Sequence, residues 1–161
     1  MADFLSIEKV LLPKDLLDRA TTFLRKAGLE GYEAVVLFAG SSEGQSYIIR
    51  KLYIPFQQSY KTERGLMYHV SGEELSVLDD WLYDNQLSLF CQMHTHPMDA
   101  YHSLADDVNC IVTVSGGISI VVPYFAQVEM VPENWAVYRL VPGEGWTEVI
   151  EPDSKKLIEI N

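Results

Sequence analysis

The 161-residue chain is short of positive charge: 12 Lys and Arg stand against 23 Asp and Glu, a formal net charge of −11. That balance has the wrong sign for neutralising a phosphate backbone, so neither nucleic acid nor an anionic membrane is an expected partner. Cysteine is scarce as well. Cys91 and Cys110 both lie in apolar runs, which excludes a disulfide framework and reads as the reduced thiols of a cytoplasmic protein. No apolar run approaches the roughly 18 residues that would span a bilayer. The N-terminal segment also lacks the basic and apolar regions of a signal peptide. Repeats, low-complexity tracts and Pro/Gly/Ser linkers are missing too, so one domain over residues 1–161 is expected.

The chain does contain enough apolar side chain, 48% of residues with 11% aromatics, to close one core. Leu16, Leu17, Ala20, Phe23, Leu24 and Ala27 recur at helical spacing after Pro13, predicting a helix capped by Gly28. The apolar run from Glu33 to Gly40 reads as a strand covered on both faces, with Glu33 at its entrance. A second strand is predicted over 44–56, joined to the first by the turn Gly40–Gly44, and a third over 66–70. Ser71 to Glu74 fits a capping box, and Leu75, Leu78, Trp81 and Leu82 then mark a core-facing helix over 73–84. Further strands are predicted over 87–93, 118–123, 135–141 and 146–150. Strands mixed with two helices give an α/β fold.

The chemistry centres on His94-Thr95-His96-Pro97. Side chains two apart on a strand share a face, so the two imidazoles converge with Thr95 opposite, and Pro97 stops the strand there. Downstream, Asp106 and Asp107 each offer a third, anionic ligand. Two neutral imidazoles and a carboxylate suit Zn²⁺ with water in an open fourth position, an ion that brings the pKa of its water down to about 7. The same donor set would also serve a non-haem iron facial triad.

Glu33-Ala-Val-Val-Leu-Phe-Ala-Gly40, followed by His94-Thr-His-Pro97 and Ser103-Leu-Ala-Asp106, resembles the JAB/MPN domain family and its JAMM metallopeptidase motif. The strand 117–123 and the segments around Trp135 and Trp146 are similar to the C-terminal part of bacterial members associated with ubiquitin-like modification systems. The resemblance spans about residues 8 to 150. It implies a single MPN domain with a mixed curved β-sheet flanked by helices, and zinc held by His94, His96 and Asp106. Glu33 would act as the general base on the zinc water and return the proton to the leaving amine. Ser103 would donate to the oxyanion. The spacer between Pro97 and Ser103 is one residue shorter than the common form of the motif, which keeps both Asp106 and Asp107 open as the ligand. His102 reads as a loop residue near the site and His69 as structural.

The resemblance also implies a zinc isopeptidase or peptidase acting after the C-terminus of a ubiquitin-like protein, whether on a conjugate or on a precursor. Activating and conjugating enzymes of the same system would be its further partners. Two alternatives are a non-catalytic MPN scaffold and a hydrolase of small peptide-like substrates.

Overall fold

A computed structural model describes residues 3–103, 106–107 and 109–161. Its centre is an eight-stranded mixed, curved sheet in the order β10-β1-β3-β2-β6-β7-β8-β9, with a separate two-stranded ribbon β4-β5. The strands are β1 (Lys9–Leu12), β2 (Val35–Glu43), β3 (Ser46–Tyr53), β4 (Gln58–Thr62), β5 (Gly65–His69), β6 (Ser88–Thr95), β7 (Ile118–Val122), β8 (Ala136–Val141), β9 (Gly145–Glu148) and β10 (Ile158–Ile160). Three α-helices accompany them among the described residues: α1 (Lys14–Leu29), α2 (Gly72–Asn85) and α3 (Asp153–Leu157). The expected α/β fold is what forms. No helix among the described residues is long and apolar enough to cross a membrane.

The helix predicted from Pro13 runs past Gly28, and Gly31, at φ 80°, takes the left-handed conformation just after its end. Gly28 serves packing instead, because a Cβ there would sit 2.4 Å from the Cβ of Phe125. Ser71 caps α2 by accepting from the Glu74 amide, but the capping box is only half closed. The Glu74 carboxylate turns to the Tyr53 hydroxyl and the Phe56 amide, tying α2 to the end of β3. The turn expected over Gly40–Gly44 is tighter than predicted. Ser41, Ser42 and Glu43 stay paired with β3, so only Gly44 and Gln45 reverse the chain. Strands β1, β4 and β10 and helix α3 carried no clear periodic signal, since each is five residues or fewer.

Side chains of β2 alternate between two cores. Val36 and Phe38 join the large core under α1, which also takes Phe90, Met93, Ile118 and Ile120. Val35 and Leu37 face α2 and the ribbon, against Leu78, Tyr68 and Ile111. Within the large core Tyr47 stacks on Phe90 at 4.2 Å, and Phe4 meets both rings edge-on at 5.5 and 5.2 Å. A bulge at Phe90 lets β6 slip by one residue against β2. Leu89, Gln92 and His94 thereby share the α2 face while Phe90, Cys91 and Met93 enter the large core.

Strand β6 pairs antiparallel with β2 and parallel with β7. A parallel pair cannot be joined by a tight turn, so the chain must return along the sheet before β7 begins. That return, residues 96–117, crosses the α2 face and carries Ser103, Asp106 and Asp107. The run Ser103-Leu-Ala-Asp106 suggests a short helix by its sequence, but Leu104 and Ala105 lie outside the described residues.

Gly40 sits where β2 bends against β3, and a Cβ there would fall 1.9 Å from the Ile48 carbonyl oxygen, a contact only a backbone shift can relieve. Gly40→Ala is therefore expected to cost more than about 2 kcal/mol in urea unfolding, at the upper end of overpacking effects.

Candidate metal centre

Each side chain of the centre comes from a different constraint. His94 occupies the penultimate position of β6, and His96 continues the strand by donating its amide to Val122 O at 2.9 Å. The predicted convergence follows: the two Nε2 atoms lie 3.3 Å apart. The returning loop supplies the third group, with Asp106 Oδ1 3.2 Å from His94 Nε2 and Oδ2 3.2 Å from His96 Nε2. Asp107 points elsewhere, to His102 Nδ1, and is half exposed. Of the two aspartates, Asp106 is the one the structure brings to the histidine pair.

The loop shapes Asp106 locally. Ser103 N donates to Asp106 Oδ2 at 2.7 Å, and Asp106 N donates back to Ser103 Oγ at 3.1 Å. This reciprocal pair uses one acceptor site of the serine oxygen and leaves its hydroxyl hydrogen free.

Glu33 lies two residues before β2 rather than on it, and three contacts hold that approach. Ala34 exchanges bonds with Thr95, its amide reaching the Thr95 hydroxyl at 3.2 Å and its carbonyl the Thr95 amide at 3.1 Å. The Gln57 side chain pairs with both backbone groups of Val35 at 2.9 Å, standing in for a neighbouring strand. Ser59 Oγ donates to the Glu33 carbonyl. Thr95, opposite the histidines as predicted, thus aligns Glu33, whereas Gln57 and Ser59 carried no signal of such a role in the sequence.

All four groups border a cavity of about 500 Å³: Glu33, His96, Ser103 and Asp106 line it, while His94 is fully buried behind. Its other walls come from Leu66, Met67 and Tyr68 of β5 and from Pro97, Met98 and Tyr101 of the loop. Tyr101 meets the His96 ring edge-on at 4.7 Å.

The charges here are poorly solvated. Burial pushes the Glu33 carboxyl up to about 7, an effect His96 opposes and Asp106 reinforces. Burial also acts to raise Asp106, but hydrogen bonds from His94 and His96 outweigh it and hold the carboxyl well below the usual range. Burial lowers His94; it lowers His96 as well, yet there the bond to Asp106 wins and the imidazole is raised.

The donor set fits a metal ion. Among the described residues His94, His96 and Asp106 form the one cluster of this kind. Four ligands arranged tetrahedrally at 2.0–2.1 Å stand about 3.3–3.4 Å from one another. Here the two Nε2 atoms lie 3.3 Å apart and each faces one Asp106 oxygen at 3.2 Å, Oδ1 toward His94 and Oδ2 toward His96, so one ligand atom from each residue lies within 4.8 Å of the others. The side open to the cavity is where a fourth ligand belongs.

A mixed α/β sheet carrying a His-His-Asp cluster beside a buried glutamate is the class of protein that fold and site define. The chain is 36% identical over 154 residues to the probable metalloprotease y4jG of Sinorhizobium fredii, a match covering 96% of this chain and 95% of that one. It belongs to the same protein family. Protein DSY2949 from Desulfitobacterium hafniense, whose structure was solved in solution, is similar in fold, with a TM-score of 0.61 at 18% identity over 94% of this chain and 92% of that one. No family model matches the chain.

Two outcomes follow from this geometry. Purified protein is expected to bind one divalent ion per chain, with Asp106→Ala losing it and Asp107→Asn keeping it by elemental analysis; the reverse would mean that the loop binds in the other register. The second concerns protons. A carboxyl raised from 4.5 to about 7 by folding stabilises the fold while protonated, and that contribution disappears as pH rises through this window. In the metal-free protein, Glu33→Gln should gain thermal stability relative to wild type between about pH 4.5 and 7 and hold a constant lead above it. A flat difference would place Glu33 in solvent.

Proposed function

We propose that the protein is a zinc-dependent peptidase of the JAMM type, in a JAB/MPN domain, that hydrolyses the amide bond after the C-terminus of a ubiquitin-like protein. The observation that carries the peptidase reading is a buried cluster of His94, His96 and Asp106 with a buried Glu33 on the same cavity wall. The relative named a probable metalloprotease supports it. The ubiquitin-like substrate rests on the motif resemblance alone.

When bound, zinc lowers the pKa of a water and polarises the amide carbonyl. The chain's own groups do the rest. Glu33, with a proton affinity poised near neutrality, accepts the proton of the attacking water at its carboxylate and delivers it to the departing nitrogen. Ser103, its oxygen already fixed by the Asp106 amide, has its hydroxyl hydrogen free for the oxyanion. Apolar walls from Leu66, Met67, Met98 and Tyr101 limit water around the scissile bond.

An extended tail needs backbone partners, and β4 and β5 pair only with each other among the described residues, leaving a strand edge beside the cavity. The segment from Met98 to Ser103 forms the facing wall. Pairing of this kind ignores most side chains, so the folded body of the substrate must supply selectivity. On a chain of net charge −11, a neutral or basic docking face is favoured.

Glu33→Gln should fold, keep its zinc and lose about 10²- to 10⁴-fold in hydrolysis, because an amide accepts no proton. Ser103→Ala should keep zinc and lose on the order of 10²- to 10³-fold in kcat. A fusion ending in the ubiquitin-like tail should be cleaved far faster than the tail peptide alone, and chelation should stop both reactions. Equal kcat/KM for fusion and peptide would favour a hydrolase of small peptide-like substrates.

A further inference from the structure

His102, which reads from the sequence as an ordinary loop residue, is the most heavily engaged side chain near the centre. Its ring is 2% exposed. It packs against Tyr138 at 4.9 Å and Trp146 at 5.3 Å, and its backbone amide is bound by the Tyr138 hydroxyl at 3.1 Å. Both ring nitrogens are used, Nδ1 on Asp107 Oδ1 and Nε2 on Ser119 Oγ.

The arrangement of Ser119, His102 and Asp107 has the connectivity of a hydrolytic triad, but it cannot act as one. Ser119 lies within β7 with no exposed surface, so no substrate reaches its oxygen.

What the chain of bonds can do is hold. Its direction is set from both ends. At one, the amides of Ile111 and Val112 both donate to Gln92 Oε1 at 2.9 Å, which makes that oxygen the acceptor. Gln92 Nε2 therefore donates to Ser119 Oγ at 3.2 Å. At the other end the Asp107 carboxylate can only accept, so His102 Nδ1 carries the ring hydrogen, and in the neutral ring Nε2 then accepts from the Ser119 hydroxyl. Gln92 and Ser119 belong to the neighbouring strands β6 and β7, and Gln92 lies two residues before His94 on the same face. The Cys110 thiol completes the attachment by donating to the Asp106 carbonyl at 2.7 Å.

We propose that His102 is a positioning residue: clamped between Tyr138 and Trp146 and bonded to Ser119 and Asp107, it pins the returning loop to β7, the strand paired with the one that carries His94, thereby placing Ser103 and Asp106. Its value for the metal rests on the peptidase reading above; its value for the geometry of the loop does not.

The experiment uses the full chain, with zinc alone as the probe. Nitrogen NMR of the metal-free wild type should show His102 as the Nδ1–H tautomer. His102→Phe keeps a ring between Tyr138 and Trp146 and removes both nitrogens. It should leave the unfolding midpoint nearly unchanged yet abolish hydrogen-exchange protection of the Asp106 amide, which a generally structural role would not single out. In a chelator competition its zinc Kd should rise roughly 10- to 100-fold, the usual effect of losing a group that orients a ligand. If His102→Phe does not fold, Ser119→Ala, which removes only the Nε2 partner, should show the same losses to a smaller degree. An Nε2–H tautomer, or a folded variant with an unchanged Asp106 amide and a zinc Kd within twofold of wild type, would overturn the proposal. Wild type that binds no zinc would sink the metal reading alone, because the Asp106 amide in metal-free protein still decides the role of His102.

Discussion

Everything at the centre depends on the parallel pairing of β6 with β7. Being parallel, the two strands end at the same edge of the sheet, and the chain between them has to travel back across one face. The C-terminal end of β6 presents two imidazoles; the returning loop presents a carboxylate to them. An antiparallel partner joined by a hairpin would have left His94 and His96 without a third ligand. The bulge at Phe90 is the companion requirement, because without that one-residue slip Leu89 and His94 could not both face α2 while Phe90 and Met93 fill the large core.

The electrostatics of the centre are those of a place built for positive charge. Two carboxylates and two imidazoles are buried within reach of one cavity, an expensive arrangement in a protein interior unless the charges are compensated. Asp106 is compensated by the histidines. Among the described residues Glu33 has no comparable partner, and burial raises its proton affinity. A divalent ion inside the cluster would satisfy the donors and draw Glu33 toward its ionised form. The same burial that weakens Glu33 as an acid makes it a useful base.

Much of the positioning is done by uncharged side chains acting as substitutes for backbone. Gln57 pairs with Val35 as a strand would, Gln92 ties the end of the loop to β6, and Thr95 binds the segment that carries Glu33. Residues of this kind lie outside any metal-ligand motif, yet each limits where a functional group can move. Their hydrogen bonds are buried or partly buried, so breaking one leaves a polar group with little or no water to replace its partner.

The sequence by itself determined the long elements and singled out the groups that the structure sets around one cavity. Helices α1 and α2 show their period, strands β2, β6 and β7 show as apolar runs, and the strand alternation of His94 and His96 is a local property of the chain. Glu33 and Ser103 were legible for a different reason, the spacing of a known motif. Tertiary structure decided what local pattern could not express. Strands β1 and β10 are too short to carry a signal and form along the edge of the longer β3, while the mostly exposed β4 lacks the apolar run that marks β7 and forms by pairing with β5. Asp106 and Asp107 are adjacent and chemically identical, so only the path of the loop, fastened by Ser103 and His102, selects which carboxylate reaches the histidines. His102 itself has no partner close in sequence except Asp107. Its other contacts, Ser119, Tyr138 and Trp146, lie on β7, β8 and β9, and only the closing of the sheet brings them to it.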